Sequence, residues 1–241
     1  MTDMLARPDV EVRDLSALRA LAEEASAALE GAHPVEVLRW AGDTFGDRLC
    51  LTSSMGDAVL ATLAAEAVPG IDVVFLDTGY HFAETLQTRD RVAAELDVTV
   101  VTVKPELTVA QQNIQYGQSL YARDSDSCCA MRKVEPLDRG LAPYDAWASG
   151  LRRDESFARR HTPVIGVDTR RNKIKVNPLA CWTQDDVDRF VAERNVIVNP
   201  LVDRGFLSIG CAPCTRPVQL GEDRRAGRWS ESEKTECGIH L

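Results

Sequence analysis

No apolar run in this 241-residue chain approaches the roughly 20 residues of a membrane-spanning helix, so a helical span is excluded. The first residues, Met1-Thr2-Asp3-Met4-Leu5-Ala6-Arg7, lack the basic-then-apolar order of a secretory signal, and the expected location is the cytoplasm. Positive charge is not in excess. Lys and Arg number 28 against 37 Asp and Glu, a net −9, and a surface of that sign repels nucleic acid. Histidine is scarce: His33, His81, His161 and His240 are scattered, without a His-x-x-His or His-Glu-x-x-His pattern, which argues against a catalytic zinc site. Seven cysteines cannot all be paired, and in a reducing compartment they point to metal binding or catalysis rather than a disulfide framework. Internal repeats and low-complexity linkers are also missing. What remains is an ordinary globular composition, 44% hydrophobic and 27% charged, with enough length for one domain and a sizeable core.

The pattern of apolar residues supplies the fold class. Leu15, Leu18, Leu21, Ala22, Ala25, Ala28 and Leu29 recur at helical spacing, so a helix is expected over about 15–30, with a second from Pro34 to Phe45. Both are expected to pack outside a sheet as an N-terminal unit over 1–47. From residue 48 the chain alternates: strands at Leu49–Thr52, Ile71–Leu76 and Val98–Val103, and helices at Asp57–Ala67 and Phe82–Leu96. Such alternation predicts parallel βαβ units, hence an α/β domain over 48–220 with a mostly parallel sheet flanked by helices. Further on, Met131–Leu141 reads as a helix and Tyr144–Ala148 as a strand. Val164–Val167 and Ile174–Val176 read as a hairpin, and a capped helix starts at Thr183. Beyond Gly221 apolar residues thin out, so 221–241 is expected to be a mobile tail. Ligands of such sheets sit at the carboxyl ends of the strands. Two loops fall there: Ser53-Ser54-Met55-Gly56-Asp57, a strand–turn–helix where Ser53 and Ser54 could meet an anion, and Asp77-Thr78-Gly79.

Two thiol pairs organise the chemistry. Cys211 and Cys214 lie in Gly210-Cys211-Ala212-Pro213-Cys214-Thr215-Arg216-Pro217, and Cys128-Cys129 lies far upstream. Four soft thiolates select zinc or an iron–sulfur cluster. Structural zinc favours two Cys-x-x-Cys knuckles, a geometry that adjacent cysteines fit poorly. A cuboidal cluster offers a separate iron to each thiolate, which favours [4Fe–4S]. Cys237, four residues from the end, lies outside any apolar pattern, as an accessible nucleophilic thiol would. Cys50 and Cys181 have apolar neighbours and read as core thiols. Basic residues cluster locally, eight against three acidic ones from Gly150 to Lys175, with Arg216, Arg224, Arg225 and Arg228 as a second group. On an acidic protein this suits a small anionic substrate.

Three ordered motifs then carry a resemblance: Cys128-Cys129 followed by Arg132-Lys133-Val134-Glu135-Pro136-Leu137, Cys211-Ala212-Pro213-Cys214-Thr215-Arg216-Pro217, and Glu236-Cys237-Gly238-Ile239-His240-Leu241. From about residue 48 to the C-terminus the chain resembles the iron–sulfur adenylyl-sulfate (APS) reductases of the phosphoadenylyl-sulfate (PAPS) reductase family, in the adenine nucleotide α-hydrolase-like superfamily. The serine turn departs from that superfamily's usual Ser-Gly-Gly-x-Asp-Ser loop. The resemblance implies reduction of APS to sulfite and AMP in sulfate assimilation. Cys237 would attack the sulfur of APS to form an S-sulfocysteine that thioredoxin resolves. It implies a [4Fe–4S] cluster on Cys128, Cys129, Cys211 and Cys214 and a substrate clamp of Lys133, Arg160, Arg225, Arg228 and His240. Arg152 and Arg153, which match Gly-x-Arg-Arg-Asp, are expected to shape the nucleotide pocket. PAPS reduction, a non-reducing nucleotide enzyme of the superfamily and a zinc-binding module stand as alternatives. No nucleic-acid or membrane partner is expected, and a homo-oligomer is compatible with the sequence.

Overall fold

A computed structural model describes residues 14–230, Lys234, Gly238 and Ile239. Six strands form one sheet in the order β3-β2-β1-β4-β6-β5: β1 Leu49–Thr52, β2 Asp72–Leu76, β3 Thr99–Val103, β4 Ala146–Ala148, β5 Ile165–Asp168 and β6 Lys173–Val176. Every neighbouring pair is parallel except β5 with β6, which form the expected antiparallel hairpin. The fold is therefore α/β with a mostly parallel sheet. The chain leaves β1 toward β2 and β3 on one side and returns to β4 on the other. This reversal opens a crevice at the carboxyl ends of β1 and β4.

Strand side chains alternate between faces. Leu49 and Leu51, Val73 and Phe75, and Ala146 and Ala148 point to one face, where they join the main core. Cys50, Val74 and Trp147 point to the other. The first face is covered by α1 (Leu15–Leu29), α2 (Pro34–Phe45), α3 (Val59–Ala67) and the helix at Gln184–Arg194. Leu18, Ala22 and Ala25 of α1 are spaced to bury one stripe, and Asp14 caps it by accepting from Ser16 N–H at 2.9 Å. A capping box starts α2: Val35 N–H donates to His33 Nδ1 at 3.3 Å, and Glu36 accepts from His33 N–H at 3.2 Å. The N-terminal helices contribute Leu18, Ala22, Ala25, Val35, Val37 and Leu38 to the main core.

On the second face, Leu137 and Leu141 pack on Cys50, Val74 and Trp147. Between β3 and that contact the sequence pattern predicts nothing, and the chain folds into three short helices after α4 (Ala83–Glu95): α5 Val109–Tyr116, α6 Leu120–Arg123 and α7 Ser125–Cys129. The helix expected over Met131–Leu141 divides. Ala130–Val134 is a π-helical turn, and the α-helix α8 occupies Glu135–Leu141. The last helix is α9, Gln184–Arg194, begun by a Thr183–Asp186 capping box and ended at Asn195, φ 48°. No helix among the described residues is long and apolar enough to cross a membrane.

Candidate active site

A cleft of about 300 Å³ lies at the carboxyl ends of β1, β2 and β4. Its floor is the serine turn. Ser53 Oγ accepts from Met55 N–H at 3.1 Å, and Met55 takes φ 59° with its side chain fully buried. Asn199 holds the turn from outside: its Nδ2 donates to Met55 O at 3.0 Å and to Thr85 Oγ1 at 3.2 Å, and its N–H donates to Gly56 O at 3.0 Å. Ser53 and Ser54 both line the cleft. Asp57 Oδ1 accepts from Val59 N–H at 3.0 Å at the start of α3. The Asp57 carboxyl is open to the cleft yet hemmed in by its walls, and this desolvation raises its pKa against the lowering effects of the Val59 N–H bond and Arg152.

Beside the cleft the four candidate ligand thiols meet. Cys128, Cys129, Cys211 and Cys214 line one small cavity with Tyr80, Tyr121, Lys133 and Trp229. Cys128 and Cys129 end α7, and the π-helical turn that follows carries Lys133 to the same wall. Cys211 and Cys214 flank a 3₁₀ turn, Ala212–Cys214, tied at both ends: Ala212 N–H donates to Tyr80 O at 2.7 Å and Trp229 N–H to Cys214 O at 3.1 Å. Thr78 Oγ1 lies 3.3 Å from Cys211 Sγ. The loop carrying Thr78 is in turn gripped by the buried Arg132, which donates to Thr78 O at 2.5 Å, Gln112 Oε1 at 2.7 Å and Leu107 O at 3.3 Å. Burial, then the neighbouring Cys129, Cys211 and Cys214, push the Cys128 thiol up to about 11. Burial also raises Cys214. Four soft sulfur donors gathered at one cavity suit a single polynuclear cation. Among the described residues, the cavity lining offers no carboxylate or imidazole to complete another donor set. The donor chemistry fits a thiolate-bound metal cluster.

Cations line the cleft where it adjoins the thiols. Lys133 serves both the thiol cavity and the cleft, with Nζ 5.8 Å from the Trp229 ring centre. Arg225 and Arg228 line the cleft. The Arg228 guanidinium sits 4.4 Å from the Trp229 ring centre and donates to Ser208 Oγ and Ile209 O, each at 3.3 Å. Arg152 is buried and lines the cleft, donating to Gln184 Oε1 at 2.7 Å and Asp154 Oδ1 at 3.2 Å.

Several expectations need correction. Arg160 does not face the cleft. It is exposed, its guanidinium lies 3.4 Å from the Phe157 ring centre, and it donates to Phe157 O at 2.7 Å. The 3₁₀ turn Phe157–Arg159 aims the preceding residue inward instead. Arg159 lines the cleft with its side chain 12% exposed, paired with Glu155 at 2.5 Å. Arg153 turns away to Glu30 of the N-terminal segment and to Thr162 O at 2.8 Å, so it does not shape the pocket. Cys181 is no core thiol: it is exposed between Arg153 and Glu30, whereas Cys50 is fully buried. The tail is not free from residue 221. Arg216 N–H donates to Gly227 O at 2.9 Å, Trp229 is 5% exposed, and a Cβ at Gly227 would stand 2.2 Å from Arg216 O, so the backbones require glycine there. Cys237 and His240 lie outside the described residues.

Thr78, in a loop the sequence already placed at the strand ends, stands between cleft and thiols, and two residues the sequence pattern did not single out complete the site: Asn199 under the serine turn and Trp229 against Lys133 and Arg228. Trp229 alone had a visible signal, a lone aromatic in an otherwise polar stretch.

Comparison with known proteins agrees with this geometry. Residues 48–217 match the phosphoadenosine phosphosulfate reductase domain. The chain is 59% identical over 230 residues to a Streptomyces coelicolor protein named adenosine 5'-phosphosulfate reductase, covering 95% of this chain and 98% of the other. A protein of the same name from Mycobacterium tuberculosis is 46% identical over 240 residues, covering 92% of this chain and 94% of the other. Among solved structures, the phosphoadenylyl-sulfate reductase of Candida auris in complex with phosphate superposes with a TM-score of 0.70 at 30% identity, over 81% of this chain and 96% of that one. An FMN adenylyltransferase from Candida glabrata shares the fold at 14% identity and a TM-score of 0.53, over 84% of this chain and 75% of that one. With the family domain matched over most of its length and near full-length relatives at these identities, the chain belongs to the phosphoadenosine phosphosulfate reductase family.

Proposed function

We propose that this protein reduces adenosine 5'-phosphosulfate to sulfite and AMP in sulfate assimilation, with electrons from thioredoxin. The observation that carries the reading is the cleft wall where Lys133, Arg159, Arg225 and Arg228 converge beside four clustered thiols. A phosphate joined to a sulfate is the kind of dianion such a wall suits. The relatives' name supplies the substrate class.

In this reading Cys237 is the nucleophile. Its thiolate attacks the sulfur of APS, the S–O bond to the AMP phosphate breaks, and AMP leaves with that electron pair. The cysteine is left as an S-sulfonate. A thioredoxin thiolate then attacks Cys237 Sγ, expelling sulfite and forming a mixed disulfide, which the second thioredoxin thiol resolves. Two electrons are taken from thioredoxin for each sulfite. Negative charge grows on the leaving phosphate, so cations fixed there stabilise the transition state more than bound substrate. Arg159, Arg225 and Arg228 take that role, with His240 approaching on the C-terminal segment. Ser53 and Ser54 receive the nucleotide end. Cys128, Cys129, Cys211 and Cys214 hold a [4Fe–4S] cluster. Bound there, it would supply a structural anchor and a fixed electrostatic environment for Lys133 rather than carry the reducing electrons.

The experiment is incubation of purified protein with APS in the absence of reductant, followed by intact and peptide mass. Gain of one SO₃ group on the peptide containing Cys237, released as sulfite by thioredoxin, supports the reading. Label on Cys50 or Cys181, or full activity in Cys237→Ser, refutes the mechanism. The match to a PAPS reductase structure favours one competing substrate. Parallel turnover of PAPS decides it, and a higher kcat/KM for PAPS than for APS replaces the substrate assignment.

A further inference from the structure

Arg171 stands outside the cation wall, in the β5–β6 hairpin, yet its side chain is only 4% exposed. Its Nε donates to Asp138 of α8 at 2.6 Å and its Nη1 to Asp168 of β5 at 2.8 Å. Asp168 also accepts from Trp147 Nε1 at 3.2 Å. The guanidinium is therefore clamped between the hairpin and α8, with its rotamer fixed before anything else binds. A buried ion pair is a weak source of stability, because desolvation offsets the Coulombic gain. It does hold a planar fork of donors in one orientation. One arm of that fork has a further partner: Nη1 also reaches Ile239 O at 3.4 Å. Nη2 is buried with no acceptor among the described residues.

Ile239 is the apolar anchor of the same contact. It packs against the Leu137–Leu141–Trp147 cluster and against Cys129 and Trp229, and it lines both the cleft and the neighbouring cavity beside Lys175 and Asn177. Gly238 lies against Val134, where a Cβ would stand 3.6 Å from the valine methyl. Among the described residues, the C-terminal segment is thus held at Gly238–Ile239 by a hydrogen bond from Arg171 and a partly buried isoleucine side chain. Cys237 precedes Ile239 by two residues in sequence, and two residues of chain span at most about 7 Å.

We infer that Arg171 is a positioning residue for the reaction: its clamped guanidinium latches the C-terminal strap at Ile239 and so presents Cys237 to the substrate. The inference rests on the reading of Cys237 as nucleophile for its catalytic consequence, but the latch has its own readout. Arg171→Lys keeps a charge for Asp138 and Asp168 while losing the fork. Ile239→Ala removes the anchor without touching the carboxylates. In the metal-loaded protein without substrate, iodoacetamide modification of Cys237, followed by peptide mass, is expected to rise about tenfold in each variant, the scale of one lost charge-assisted bond or one lost buried side chain. In single turnover with APS, S-sulfonation is expected to slow by a similar factor while APS affinity and visible absorbance stay at wild-type values. The double variant should do no worse than the more affected single variant, because both act on one latch.

Wild-type modification rates in Arg171→Lys overturn the inference, and so does a slowed reaction that tracks lost absorbance or weakened APS binding. If Arg171→Lys fails to fold, Ile239→Ala decides alone, and unchanged modification there overturns it. If wild-type protein forms no adduct with APS, the functional reading fails, while the modification rates still decide the latch.

Discussion

The two faces of the sheet are built in different ways. On one face, α1, α2, α3 and α9 bury a continuous apolar layer on Leu49, Leu51, Val73, Phe75, Ala146 and Ala148. On the other, the apolar cluster around Trp147 is small and soon gives way to the thiol cavity. There the structure is made of short helices, one π-helical turn and one 3₁₀ turn, joined by single polar ties such as Arg132 to Thr78 O and Trp229 N–H to Cys214 O. The first face is stabilised chiefly by burial, in proportion to area. The second brings four thiols together around one small cavity, a soft donor set that suits a bound metal cluster. One half of the molecule can hold its shape unaided; the other depends on what it binds.

The largest effect that would test this contrast comes from Cys211→Ser. Activity should fall to background and visible absorbance should vanish, yet the far-UV signal of the sheet and its covering helices should persist. Complete unfolding would break the comparison. Next, Arg159→Ala should lower kcat/KM by about 10²–10³, the scale of removing one preorganised charge from a developing anion. Arg160→Ala should stay within about twofold of wild type. Equal effects from the two would show that the inward turn at Phe157–Arg159 does not govern the clamp. On the apolar face, Leu51→Ala should cost about 2–5 kcal/mol in urea unfolding without changing absorbance per folded molecule.

The smallest effect concerns alkaline pH. Burial raises the folded Cys50 thiol far above its ordinary value, with the Asp72 carboxylate adding to it and Lys173 opposing. Tyr144 is raised by burial and by its 2.7 Å bond to Asp72. Burial lowers Lys173, which acts in the opposite sense. A raised folded pKa means the folded state keeps a proton that the unfolded state loses. Stability from Cys50 is therefore full below the usual thiol pKa and declines above it, by up to about 1.4 kcal/mol per pH unit. Cys50→Val should flatten that decline between the usual thiol and tyrosine values. An unchanged slope would place its origin elsewhere.

The sheet was legible because β-branched runs and helical spacing act locally and repeat. Val98–Val103 could be little other than a strand, and Pro34 and Thr183 announce the starts of their helices. The four thiols were legible as a set because their chemistry leaves few uses for such pairs. What escaped the sequence depends on direction rather than type. Arg159 and Arg160 are chemically identical neighbours, and only the 3₁₀ turn decides which one enters the cleft. Cys181 has apolar neighbours in sequence but faces Arg153 and Glu30 across the fold. The packing of residues 222–229 rests on one tryptophan, a few backbone bonds and the side-chain partners of Glu222 and Arg228, none of which alters a composition dominated by charge.

The π-helical turn at Ala130–Val134 makes chain length itself a functional quantity. Such a turn holds one residue more than an α-helix would need, so the ladder is locally overfull. Deleting Ala130 would let α7 run straight into α8 with better helical hydrogen bonding. It would also bring Lys133 from four residues beyond Cys129 to three, changing its direction around the helix relative to Cys128 and Cys129, so the thiols would no longer share a wall with it. Local helix stability and the site therefore pull in opposite directions at this point. A shortening that raises helicity by circular dichroism should abolish cluster loading.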